Sequence, residues 1–278
     1  LVIDDLDELH ASLARAQQDQ VNDRAERGGA RAIFRGVGPL QELLHSQDLV
    51  VGTHGRSIWI LDGVTPLREL AQAAKAPAFL YTPPLATRAR WNTFSDTPLP
   101  PEEPTGQNPP EGVVLDYVLA RDARVVALEV MTEQGELVRR LSSDDEPEHV
   151  EPSQLPYPMY WLRPAQSVSV ARGHHRFAWD LRYAPPTGMR RELSIAAVHR
   201  NTPTGPRGPL VAPGRYRVRL VVDGTPLEPR LLEVRLDPRV TLAAADLQQQ
   251  TDLSLSCYRS VVALQRVRDE IDAALARE

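Results

Sequence analysis

Four side chains in two short stretches have the chemistry to meet a ligand. His54 and Arg56 sit in Gly52-Thr53-His54-Gly55-Arg56-Ser57, where an imidazole and a guanidinium at a glycine-bearing turn could meet an anion or a sugar hydroxyl. The commoner role of such a pair is a turn histidine and a solvated arginine. Tyr160 and Trp161 follow an acidic run, Asp144, Asp145, Glu146, Glu148 and Glu151, with Tyr157 between. Aromatic planes beside carboxylates could hold a sugar ring, and the carboxylates could hold calcium. They lack the alternating spacing of a calcium loop, so a solvated loop anchored by its aromatics is the simpler reading.

No catalytic set emerges from the remaining residues. The chain has no GxSxG elbow, HExxH pair, Walker loop or GxGxxG turn, so the sequence assigns no catalytic residue, no metal and no cofactor. Carboxylate pairs are too common among 37 acidic residues to single out an acid and a base. His174 and His175 are adjacent within a strand pattern, so they point to opposite faces and cannot chelate one ion. Cys257 is the only cysteine, which excludes an intrachain disulfide and a cysteine-based zinc site. With no histidine near it in sequence, it reads as a buried structural thiol.

The elements that must position these residues follow from composition and period. The chain has 25 prolines in 278 residues, all between Pro39 and Pro238, against a usual ~5 %. Proline breaks helix interiors, so helices belong at the two ends. A net charge of -5 and pI of about 5.9 argue against nucleic acid as a partner. No apolar run approaches the ~20 residues of a membrane span. Leu6, Leu9, Leu13 and Ala16 predict an amphipathic helix from Asp4 to about Arg27, its acidic start suiting the helix dipole. The apolar runs Leu49-Val50-Val51 and Ile58-Trp59-Ile60-Leu61 predict a hairpin, followed by a short helix with Thr65 as cap and Pro66 in its first turn.

Eight prolines between Pro83 and Pro110 mark a semi-rigid connector and domain boundary, which Trp91 and Phe94 would pin to a neighbouring surface. After it the period becomes two. Strands are predicted at Val114–Leu119, Val125–Val130, from Leu137, within Gly173–Tyr183, through Tyr216–Val222, and over Leu232–Leu236 after an Asp223-Gly224 turn. Short strands without intervening helices predict an immunoglobulin-like antiparallel β-sandwich, with insertions at Ser142–Val170 and Pro185–Pro213. From Thr241, Leu247, Thr251, Leu255, Tyr258, Val262, Ile271 and Leu275 form a stripe of roughly 3.6-residue period. This long helix would pack on the sandwich or on another chain.

Several segments carry a family resemblance. Asp48–Asp62, DLVVGTHGRSIWILD, followed by Thr65–Leu70, TPLREL, resembles the closing hairpin of bacterial BNR-repeat, sortilin-like β-propeller proteins, often called glycosyl-hydrolase-like. Asn108–Gly112 (NPPEG), Arg176–Tyr183 (RFAWDLRY), Ala212–Val218 (APGRYRV) and Leu236–Val240 (LDPRV) are similar to segments on the C-terminal side of the propeller in such proteins. The resemblance covers about Asp48 to Glu278. Gly63 stands where the family usually has an acidic residue, no S-x-D-x-G-x-x-W box occurs, and Leu1 to Gln47 does not look like propeller strands.

The expected fold is therefore mainly β. It comprises a helical segment at 1–47, a propeller last-blade remnant at 48–82, the linker at 83–110, the sandwich at 111–240 and the amphipathic helix at 241–278. The resemblance implies a secreted or periplasmic protein that meets a glycan or protein ligand through its propeller. The chain itself reads as a non-catalytic C-terminal module. The alternative is part of a sialidase- or xyloglucanase-like glycoside hydrolase whose catalytic residues lie in an upstream propeller.

Overall fold

The structure, a computed structural model, describes residues 49–52, 58–61, 63–90, 97–103, 110–147, 150–186, 189, 197–202 and 204–277, with side chains described from residue 63 onward. The predicted helix over Asp4–Arg27, Trp91, Phe94, His54 and Arg56 lie outside the described residues. The chain divides into two compact units, Leu1–Ala76 and Pro77–Glu278.

In the first unit, β1 (Leu49–Gly52) and β2 (Ile58–Leu61) form an antiparallel ladder running from Leu49 opposite Leu61 to Gly52 opposite Ile58. Helix α1 (Thr65–Ala73) follows, with Pro66 in its first turn, where the missing N–H costs nothing. Val64, not Thr65, takes the cap position, and its carbonyl accepts the Leu67 N–H at 3.1 Å.

The second unit is mainly β, with two sheets and a C-terminal helix. Its strands are β3 (Ala78–Leu80), β4 (Ala86–Arg88), β5 (Val113–Leu119), β6 (Val126–Thr132), β7 (Leu137–Ser142), β8 (Gly173–Trp179), β9 (Gly214–Val222), β10 (Thr225–Pro226) and β11 (Arg230–Leu236). The larger sheet runs β4-β11-β9-β6-β7, with β10 also paired to β9, and the smaller runs β3-β5-β8. Two features differ from the sequence expectation. The proline tract is not where the units part, since β4 lies inside it and belongs to the larger sheet. The strands are also not all antiparallel: β4 pairs parallel with β11, Ala86 opposite Val234.

Period-two patterning explains the core. Tyr216, Val218 and Leu220 of β9 turn inward and are buried, while Arg215 and Arg217 are exposed. On the outer side, Arg219 sits opposite Glu129, which sits opposite Arg140. Arg219 Nε donates to Glu129 Oε2 at 3.0 Å, so cross-strand charges alternate in sign. Val126, Leu128, Val130, Val218, Leu220 and Leu232 of the larger sheet join Leu115, Tyr117 and Trp179 of the smaller in one apolar cluster. The Asp223-Gly224 turn closes β9 onto β10, and the Asp223 carboxylate accepts the Arg124 and Val125 N–H groups at 2.7 and 3.0 Å.

Helix α2 spans Ala244–Leu275, so it begins beyond the Thr241 predicted as its cap. Thr251 and Gln265 are buried, and Tyr258 packs 5.9 Å from Tyr183, so the predicted stripe faces the β unit only as far as Val262, while its last two members, Ile271 and Leu275, lie on the opposite side. Beyond Gln265 the helix is exposed on all sides, Ile271 and Leu275 included. Cys257 is exposed, not buried, because it points away from that stripe. No helix among the described residues is long and apolar enough to cross a membrane.

Candidate functional site

A half-open cleft of about 590 Å³ lies beside the end of β8. Its charged lining comes from separate parts of the chain: Glu111 before β5, Arg139 of β7, Asp145, Glu146 and Arg163 in the first insertion, Asp180 after β8, and Arg207 in the second insertion.

Local sequence dictates how these groups meet. Trp179, 1 % exposed, anchors the end of β8 in the core, and its indole N–H donates to the Arg182 carbonyl at 3.0 Å. That bond holds the chain in a tight turn in which Leu181 has φ 58°. Val113 pairs with Trp179, so Glu111-Gly112 runs directly over the turn. Gly112 has φ 98°, and a Cβ there would sit 1.9 Å from the Trp179 carbonyl oxygen, so only glycine lets the strands approach this closely.

Arg182 ties the site together. Its Nη1 donates to the Gly208 carbonyl at 3.1 Å, its Nη2 lies 3.6 Å from Glu111 Oε1, and its backbone N–H donates to Asp180 Oδ1 at 3.3 Å. Arg207 Nη1 donates to Glu111 Oε2 at 2.9 Å. Asp180 opens about half its side-chain surface to the cleft. Enclosure by protein nevertheless pushes its carboxyl pKa up, a shift partly offset by the Arg182 and Arg139 guanidiniums. Burial likewise lowers the pKa of Arg163, while Glu111 opposes the shift. The cleft thus presents both guanidinium donors and carboxylate acceptors.

Of the sequence-predicted residues, Tyr160 and Trp161 lie in a single 3-10 turn, Met159–Trp161, and are not among the residues that line this cleft. Trp161 stacks on Tyr157, ring centres 5.5 Å apart and planes 6° from parallel, and its carbonyl accepts the Thr202 N–H at 3.2 Å. Leu162 to Val168, directly after it, line the cleft. One face of the indole is therefore taken by an internal stack.

Compared with known proteins, the chain matches no protein-family model and no curated protein.

The two histidines part as their strand position requires. His174 Nε2 lies 3.3 Å from Asp116 on one face of β8, and His175 packs 5.2 Å from Tyr117 on the other. Asp116, 6 % exposed, also accepts from Arg176 Nε at 2.9 Å. Among the described residues no group of three His, Cys, Asp or Glu side chains is placed to hold a metal ion. Sequence reasoning missed Glu111, Arg139, Arg163, Asp180 and Arg207 as a group. Glu111 and Asp180 fall in the NPPEG and RFAWDLRY segments that carry the resemblance, a usable signal, whereas nothing marks the three arginines.

Proposed function

We propose that this chain is a non-catalytic, carbohydrate- or protein-binding module from the C-terminal part of a secreted or periplasmic sortilin-like β-propeller protein. Its β1–β2 ladder is the remnant of a last blade, and its two sheets are an immunoglobulin-like sandwich. Supporting the sandwich reading, Tyr216 near the start of β9 donates its hydroxyl to the Ala212 carbonyl at 2.7 Å, the arrangement of a tyrosine corner. Buried Trp179 packs 6.5 Å from that ring. The resembling segments also have packing roles: Gly112, the last residue of NPPEG, meets RFAWDLRY at Trp179, APGRY forms the corner, and LDPRV is closed by Asp237, whose carboxylate accepts from Arg239.

The observation that carries this reading is the bonded state of Glu111 and Asp180 in the cleft, which Asp145 and Glu146 also line. Glu111 is held by Arg207 and Arg182, and Asp180 is tied to the Arg182 backbone. Carboxylates held beside guanidiniums in this way are suited to fixed hydrogen bonding of a polar ligand. Affinity electrophoresis of the chain through neutral and acidic polysaccharides, with reducing ends measured in parallel, tests this. Retention without sugar release, weakened at least several-fold by Arg207→Ala, is expected. Sugar release abolished by Asp180→Asn would overturn the non-catalytic reading.

A further inference from the structure

Helix α2 carries two apolar stripes on opposite sides. One, Thr251, Leu255, Tyr258, Val262 and Gln265, is buried or half-buried. The other lies about 200° away round the axis at ~100° per residue. It contains Leu253, Leu264, Val267, Ile271 and Leu275, which are 52 to 70 % exposed. Leu253, Cys257, Ser260, Leu264, Val267, Ile271 and Ala274 are spaced alternately four and three residues apart, the repeat by which one helix seats against another.

We infer that a second copy of this chain covers the outer stripe, the two α2 helices pairing antiparallel. With Ser260 opposite Leu264 of the partner subunit, Cys257 meets Val267 of the partner subunit and Leu253 meets Ile271 of the partner subunit. Each large side chain in the distal part of one helix then faces the proximal part of the other. The flanks agree with this register. Ser254, Ser256 and Ala263 are small enough for close approach, and Arg268 and Glu270 fall beside serines, so no like charges oppose.

Support along the helix selects the antiparallel arrangement. The segment from Arg266 to Leu275 is exposed all round, and an isolated helical stretch of that length is marginal in water. Antiparallel pairing lays it on the half of the partner's helix that is fixed to a β unit, whereas parallel pairing would join two unsupported ends. The five exposed side chains offer about 500 Å² per copy, short of the ~800 Å² of a standard interface until the flanks are added. A reversible dimer with a dissociation constant on the order of tens of micromolar is expected.

Sedimentation equilibrium of the full chain from about 1 to 300 μM tests the pairing. The expected result is a concentration-dependent monomer–dimer equilibrium, shifted at least tenfold toward monomer by Leu264→Glu, with the near-ultraviolet circular dichroism of the β unit unchanged because the residue is exposed. Register is read from Val267→Cys, which with native Cys257 should form an intermolecular disulfide on treatment with diamide; two thiols lose their protons and two electrons as diamide is reduced to the hydrazine. A monomer at every concentration, a dimer indifferent to Leu264→Glu, or cross-linking mainly of Cys257 to Cys257 would each overturn the proposal. So would a monomer in which Cys257 resists a thiol reagent, since another part of the same chain would then cover the stripe.

Discussion

Replacing Gly112 with alanine separates two costs that meet where β5 crosses the end of β8. At φ 98° a Cβ is strained whatever its surroundings, which costs on the order of 1–2 kcal/mol. Here the new atom would also lie 1.9 Å from the Trp179 carbonyl oxygen and 2.8 Å from the Asp180 Cα. Backbone cannot yield as a flexible side chain does, so the Val113–Trp179 pair must open. Losing ladder hydrogen bonds and loosening Trp179 adds about 2–3 kcal/mol. The total of roughly 3–5 kcal/mol would lower the melting temperature of the β unit by about 10 °C. Gly135→Ala is the control, because φ is 90° there but no atom lies within 4 Å of the added Cβ; it should cost only the strain, about 1–2 kcal/mol. Urea denaturation followed by circular dichroism measures both. Equal losses for the two variants would refute the steric argument.

Other consequences are open to equally direct checks. Burial pushes Tyr117 and Tyr216 up to about 12. A raised pKa in the folded state means their contribution is complete below pH 10 and is lost as pH rises toward 12; ultraviolet tyrosinate titration should show these two hydroxyls still neutral at pH 11, with stability falling from pH 10 to 12. Removing the buried carboxylate with Asp116→Ala leaves Arg176 and His174 without the partner they share, and should cost about 2–4 kcal/mol in urea denaturation. Arg230 spans β11 and β3, its guanidinium 4.8 Å from the Phe79 ring centre and its Nε donating to the Leu80 carbonyl at 3.1 Å; Arg230→Ala should cost about 1–2 kcal/mol by the same assay. Carbon-detected NMR titration should place the Asp180 carboxyl above its ordinary pKa and Asp237, beside Arg239, near 2.

The sequence pattern makes the long strands legible and leaves the cleft obscure, for physical reasons. β9 alternates apolar and polar residues and most of β11 does so too, while β5 and β6 are seven-residue runs of largely apolar, β-branched-rich sequence, enough for a strand signal to stand out. β3 and β4 have three residues each, one of them set among prolines, too few to show a period. Their pairing with distant β5 and β11 leaves no local mark. The exposure of Cys257 is hidden in the sequence because α2 has apolar residues on two sides, so a stripe alone does not say which side meets the β unit. Arg139, Arg163, Asp180 and Arg207 are brought together by a close strand crossing and two insertions. Sequence shows that Gly112 and Trp179 are unusual residues, but not that they touch.

Amide chemical-shift mapping of the chain, titrated with oligomers of whichever polysaccharide retains it, asks whether the cleft binds sugar without cleaving it. Saturable shifts concentrated at Glu111, Asp180 and Arg207 are expected, with the oligomers recovered at their original length. Shifts confined to other residues, or oligomers shortened during the titration, would contradict binding without cleavage at the cleft.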